Sequence, residues 1–142
     1  MITGIVVIFK LIRVRQWIKN LFVFAPLVFS LNLFNSELWV DALMIFGAFS
    51  LLASTIYVFN DIIDMEKDRL HPAKRKRPLP AGLITVPMAA LAGVLCLAGA
   101  IGLSSGLNQG AMVVLIVYAL LNLFYSLYGK NVILLDTMMI AI

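Results

Sequence analysis

The residues able to do chemistry are concentrated between Asn60 and Gly82, NDIIDMEKDRLHPAKRKRPLPAG, which holds four of the seven acidic side chains and six of the eleven basic ones. On a helix continuing through Ser50 and Tyr57, at about 100° per residue, Asp61, Asp64 and Asp68 fall within an arc of roughly 60°, while Glu66 points away. Carboxylates gathered on one face repel one another unless protons or cations compensate, and hard oxygen donors beside substrate phosphates suit Mg²⁺. A solvated helix end with ordinary surface charge has the same spacing. Upstream, the face continues through Tyr57, Ser54 and Ser50 as a polar stripe that either lines a cavity or packs on a neighbouring helix.

Two cationic stretches accompany the carboxylates. Lys74 to Arg77 is a run of four cations between prolines. It serves as a topology signal and an attractor of anionic lipid, or it recognises phosphate, for which Arg offers a planar fork and Lys a point charge. In Arg13 to Asn20, RVRQWIKN, α-helical spacing pairs Arg15 with Lys19 and Gln16 with Asn20, giving a polar edge with Trp17 at the interface level. Snorkelling cations and an aromatic anchor account for this stretch without chemistry. Lying on the same side as the carboxylates, it is also placed to hold an anion between metal and cations.

The elements that must carry these residues are membrane helices. Hydrophobic residues make up 63% of the chain, charged residues 13%, and the mean hydropathy is +1.04, against about 25% charged in soluble domains. Apolar segments run over about Trp17 to Phe34, Leu38 to Phe59, Val86 to Leu103 and Gln109 to Tyr128, and a fifth starts at Val132. Each complete one approaches the roughly 20 residues a helix needs to cross a bilayer. The expected fold is therefore all-α: a polytopic transmembrane bundle with four spans and the start of a fifth, and residues 1–142 read as one membrane domain.

All eleven Lys and Arg fall on one side of that topology, which the positive-inside rule makes cytoplasmic. Met1 to Phe9 reads as an interfacial helix rather than a cleaved signal. Cys96 is a packing residue, and His71, with no second His or Cys nearby, reads as a loop residue and hydrogen-bond donor rather than a zinc ligand. Pro72, Pro78 and Pro80 limit helix continuation, Gly82 permits a turn, and Thr85 caps the third span with Pro87 in its first turn. On the fourth span Asn122, Tyr125, Ser126 and Gly129 share a face before Lys130, either for helix packing or as a cavity wall. Asp136 is an intramembrane acid and a functional candidate on that ground.

Asn60-Asp61-x-x-Asp64-x-x-x-Asp68, followed by Arg77-Pro78 and Ala81-Gly82, resembles the first aspartate-rich motif of the UbiA superfamily of intramembrane prenyltransferases. Gln16-Trp17-Ile18-Lys19-Asn20 and His71-Pro72-x-Lys74-Arg75-x-Arg77-Pro78 resemble its decaprenyl-phosphate phosphoribosyltransferase branch. Tyr125-Ser126-x-x-x-Lys130 is similar to the pattern on the family's fourth helix. The resemblance implies that the chain is the N-terminal half of a bundle of about nine spans, multi-pass in the inner (plasma) membrane with cytoplasmic active-site loops. It also implies transfer of 5-phosphoribosyl from phosphoribosyl pyrophosphate to a polyprenyl phosphate, with release of pyrophosphate.

In that reading Asp61, Asp64 and Asp68 are the catalytic metal ligands for Mg²⁺. Lys19, Lys74 and Arg77 bind pyrophosphate or 5-phosphate oxygens, Asn60 is an oxygen ligand or positioning group, Tyr125 lines the cavity, and Gln16, Asn20 and Lys130 complete the substrate-binding set. The partners are the two substrates and the membrane, with no nucleic acid, and an oligomer stays open. Val14 stands where the family commonly has proline, and the family's second aspartate-rich motif is absent. Aromatic prenyl transfer and a non-catalytic, lipid-binding membrane fragment are the competing readings.

Overall fold

The computed structural model describes residues 4–31 and 33–127, with the side chains of 126 and 127 left aside. Helix α1 (Gly4–Leu11) is followed by a 3₁₀ helix (Val14–Phe24) and the short α2 (Ala25–Phe29). The long α3 (Ser36–Ile63), α4 (Met65–Leu70), a 3₁₀ turn (Lys74–Lys76), α5 (Val86–Ser104) and α6 (Gln109–Leu127) complete the order. Among the described residues there is no strand. The all-α expectation therefore stands.

The number of spans is a different matter. Only α3 and α5 are long and apolar enough to cross a membrane among the described residues, and the apolar run in α6 covers Gln109–Tyr125. The fifth segment, with Asp136, lies outside the described residues, as do Gly129 and Lys130. The expected first span, Trp17 to Phe34, is not one α-helix. Pro26 is the reason: it has no N–H to give Phe22, and its ring crowds that carbonyl. The Phe22 carbonyl instead accepts from the Ala25 N–H, a three-residue bond that belongs to the 3₁₀ pattern.

Helix α3 is the element against which the others pack. It starts at Asn35, whose side chain accepts from the backbone N–H groups of Glu37 and Leu38 at 3.1 and 3.4 Å and so satisfies two of the first turn's orphan donors. Its 28 residues span about 42 Å at ~1.5 Å each, more than the roughly 30 Å hydrocarbon core. The end that carries Asp61 therefore reaches the membrane edge or beyond.

Small residues let α5 lie close along α3. Ala89, Gly93, Cys96 and Ala100 recur at intervals of four, three and four, and all are buried. Thr55 Oγ1 lies 3.3 Å from the Gly93 carbonyl across this seam. Without a hydrophobic drive between helices in lipid, such close backbone approach supplies the packing. On α6, Leu115 packs with Ala48 and Leu107, and Tyr118 meets Phe49 edge-on at 5.1 Å.

At the other end of α5, Thr85 occupies the cap position and Pro87 the first turn as expected, although the Thr85 side chain makes no capping bond. Gly82 has φ +70°, the turn conformation anticipated for it.

A Cβ at Gly93 would stand 3.2 Å from Val58 Cγ1, whereas one at Gly102 would meet nothing within 4 Å. Gly93→Leu is expected to destabilise the protein by about 1–3 kcal/mol, read as a lower thermal midpoint in detergent, with Gly102→Leu near wild type. Equal losses from both would show that the α3–α5 seam does not depend on close approach.

Candidate functional site

The site is built where α3 ends. The helix stops at Ile63, and Asp64, at φ −88° and ψ 3°, links it to α4. The uninterrupted helix expected through Asp68 is thus broken at its middle carboxylate. Asp64 N still bonds Asn60 O at 2.9 Å and Asp68 N bonds Asp64 O at 2.9 Å, so four-residue helical bonds run up to the break and beyond it. Asp61 and Asp68 remain on one side.

Both are almost completely withdrawn from solvent, at 2% and 3% exposure, and both are ion-paired. Arg77 NH1 lies 2.6 Å from Asp68 Oδ2 and 3.1 Å from Asp61 Oδ1, so one nitrogen bridges the two carboxylates. Arg13 NH2 reaches the same Asp61 oxygen at 2.5 Å, and its guanidinium stacks 4.5 Å over the Tyr57 ring. Lys74 Nζ stands 3.8 Å from Asp68 Oδ1. Burying a charge is costly unless it is paired and hydrogen-bonded, and three cations supply that compensation here.

The loop is shaped to deliver Arg77. His71 Nδ1 accepts from the backbone N–H groups of Ala73 and Lys74 at 3.2 and 3.3 Å; its role is therefore that of an acceptor, not the donor expected. The Arg77 carbonyl accepts from Ala81 N at 3.0 Å, and the Pro78 carbonyl from Leu83 N at 2.9 Å. Prolines that cannot extend a helix leave the loop free to fold back over the end of α3.

The polar stripe on α3 is a packing face for the 3₁₀ helix. Trp17 Nε1 donates to Ser54 Oγ at 2.9 Å, and Asn20 Nδ2 donates to Ser50 Oγ at 3.0 Å. Three residues of 3₁₀ helix rise about 6 Å, and so do the four α-helical residues between Ser50 and Ser54. The three-residue step from Trp17 to Asn20 therefore matches the four-residue step from Ser54 to Ser50. The expected pairing of Gln16 with Asn20 assumed α-helical spacing; the period of three puts Asn20 with Trp17 and Gln16 with Lys19.

The remaining candidates are spread more widely. Lys19 is six residues beyond Arg13, about 12 Å along a 3₁₀ axis, and lines a separate cleft of about 480 Å³ with Asn20, Phe49, Tyr118 and Asn122. Asn60 and Asp64 are half-buried beside the cluster, and each has an interaction partner. Tyr125 lies two turns beyond Tyr118 on α6, and Asn122 Nδ2 bonds the Tyr118 carbonyl at 2.8 Å. Gln16 is exposed and lines a cleft at the junction of α1 and the 3₁₀ helix.

Oxygen donors of this kind have the chemistry of a divalent-cation site, and in this structure a guanidinium stands between two of them. Among the described residues no three carboxylate, histidine or cysteine side chains gather as a ligand set, and the position shared by Asp61 and Asp68 is taken by Arg77. What the cluster presents is a set of fixed, partly exposed cations held by buried carboxylates. Such a set can receive oxyanions. Arg13, Trp17 and Ser54 belong to this framework and were not among the residues singled out for chemistry. The only sequence signal for Arg13 was its charge, which topology already explained.

The chain is 37% identical to a decaprenyl-phosphate phosphoribosyltransferase of Corynebacterium glutamicum, over 93% of this chain and 41% of the relative. It is also 37% identical to one of Mycolicibacterium smegmatis, over 93% of this chain and 43% of the relative. An uncharacterised protein of Sinorhizobium fredii shares 37% identity over 92% of this chain and 25% of its own length. The chain thus spans less than half the length of these curated relatives. The UbiA prenyltransferase family model matches residues 20–142, and the chain belongs to that family of integral membrane proteins.

Proposed function

We propose that the protein acts in transfer of a 5-phosphoribosyl group from phosphoribosyl pyrophosphate to a polyprenyl, and specifically a decaprenyl, phosphate. The observation that carries this reading is the group of Arg13, Lys74 and Arg77 fixed by Asp61 and Asp68 at one end of α3, in a chain similar to phosphoribosyltransferases acting on decaprenyl phosphate. An oxygen of the lipid phosphate attacks the anomeric carbon while the bond to pyrophosphate breaks and its electron pair leaves with the pyrophosphate. Lys74 and Arg77 hold the donor's phosphate oxygens and stabilise the charge that grows on the leaving group. Before donor and metal bind, Asp61 and Asp68 hold those cations in place. The reaction end faces the cytoplasm across the inner membrane, consistent with the distribution of Lys and Arg.

Magnesium dependence, with Asp61, Asp64 and Asp68 as ligands, is part of the proposal and requires Arg77 to leave the two carboxylates it now bridges. The activity belongs to the protein at the length of its relatives.

In that protein, Asp61→Asn or Asp64→Asn is expected to lower turnover by about 100-fold or more, on the scale of losing charge organisation in an active site, while Glu66→Gln stays within about twofold. Transfer of labelled ribose phosphate to decaprenyl phosphate in membranes measures this, and equal effects of all three would remove the special role of that face. Labelled prenyl diphosphate with an aromatic acceptor serves as the control; incorporation there instead would mark an aromatic prenyltransferase.

Lys74 is half-exposed and only 3.8 Å from Asp68, so it can turn to a donor phosphate without leaving the site. Lys74→Ala is expected to raise KM for phosphoribosyl pyrophosphate about tenfold, the size of one charge-assisted hydrogen bond of ~1.4 kcal/mol. An unchanged KM would reduce this loop to a topology signal.

A further inference from the structure

We infer that the bend between α1 and the 3₁₀ helix is a binding site for the phosphate of a membrane lipid that carries a phosphomonoester. Val6, Phe9, Lys10, Arg13, Val14, Arg15 and Gln16 line a cleft of about 480 Å³ there. Val6, Phe9 and Lys10 follow i, i+3 and i+4 spacing, one face of α1, while Val7 and Leu11 on another face are buried. Arg13 then takes φ 54° and ψ 47°, a left-handed conformation that costs a residue with a Cβ about 1–2 kcal/mol. That bend turns the chain so that Arg15 and Gln16, on the 3₁₀ helix, border the same cleft as Lys10.

Charge selects the ligand. Arg13 is already matched by Asp61, and among the described residues Lys10 and Arg15 make no ion pair. Two uncompensated cations match a phosphomonoester, which carries about −1.5 to −2 at neutral pH, better than a singly charged diester. The apolar wall matches the start of a hydrocarbon chain: Val6 and Phe9 are 43% and 53% exposed beside the cations. Because Arg13 both lines the cleft and bonds Asp61, the bound phosphate would lie next to the carboxylate cluster. In the proposed reaction this is the place of the acceptor; the inference rests on that reading only for the identity of the lipid.

The test uses protein of the relatives' length in detergent or nanodiscs, with lipid retention read by native mass spectrometry. Lys10→Gln with Arg15→Gln is expected to reduce retained decaprenyl phosphate about tenfold. The same pair should raise KM for decaprenyl phosphate by a similar factor and leave KM for phosphoribosyl pyrophosphate within twofold. Lys10→Arg with Arg15→Lys, which keeps both charges, should restore retention, and Lys76→Gln should not alter it. Competition by phosphatidic acid equal to that by decaprenyl phosphate would support the site while assigning it to phospholipid headgroups. Equal competition by soluble glycerol 3-phosphate would overturn the lipid assignment. Wild-type retention in the double Gln variant would overturn the site and leave the transferase reading intact, whereas retention without any ribose-phosphate transfer would do the reverse.

Discussion

Asp61 in the last turn of α3 and Asp68 on α4 sit almost without solvent, and the rest of the site follows from the need to compensate them. A carboxylate removed from water loses several kcal/mol of hydration, and a paired cation returns it only with close geometry. Arg77 answers both carboxylates with one nitrogen, and Arg13 approaches Asp61 from the opposite segment. Removing one partner of a fully buried pair costs about 3–5 kcal/mol; the cost is lower here because Arg13 and Arg77 keep 23% and 31% of their side-chain surface exposed. That residual exposure has a functional side. The cations are held firmly yet remain accessible to an anion.

The same ion pairs connect the parts of the chain. Arg13 precedes the 3₁₀ helix, Asp61 ends α3, and Arg77 belongs to the loop before α5. One cluster therefore joins three segments that sequence separates by 16 to 48 residues. Along the remainder of α3, hydrogen bonds from Trp17 and Asn20 extend that junction inward. A 3₁₀ helix is the less favourable form over eleven residues, and each of its turns advances by about the distance that separates Ser50 from Ser54, which pairs Trp17 and Asn20 with the two serines. Packing on α5 holds the other side of α3, where Ala89, Gly93, Cys96 and Ala100 are buried and Thr55 reaches the Gly93 carbonyl across the seam.

Much of this was legible in the order of residues. Hydropathy marked the apolar segments, the crowding of charge between Asn60 and Gly82 marked the reactive end, and the motif spacing pointed to a family that the comparison confirms. The first apolar run was misread in its details because hydropathy reports burial in lipid, not hydrogen-bond pattern. Pro26 ends the first pattern, and the three-residue step that pairs Trp17 and Asn20 with the serines of α3 leaves no trace in hydropathy. Likewise Lys19 and Arg77 look equivalent as cations in a sequence, yet one lies in its own cleft and the other between two carboxylates.

The sequence by itself determined that the chain is helical and membrane-embedded, which residues carry charge, and that Asp61 and Asp68 share a side. These are consequences of composition and of the helical period, both local properties. Only the tertiary structure decided which cation meets which carboxylate, that the stripe of serines is a packing face, and that Arg13 bends the chain to reach Asp61. Those outcomes depend on the register between helices and on a loop folding back, and neither is encoded in the spacing of any one segment. Electrostatic pairing acts over a few ångströms in space, whatever the distance along the chain.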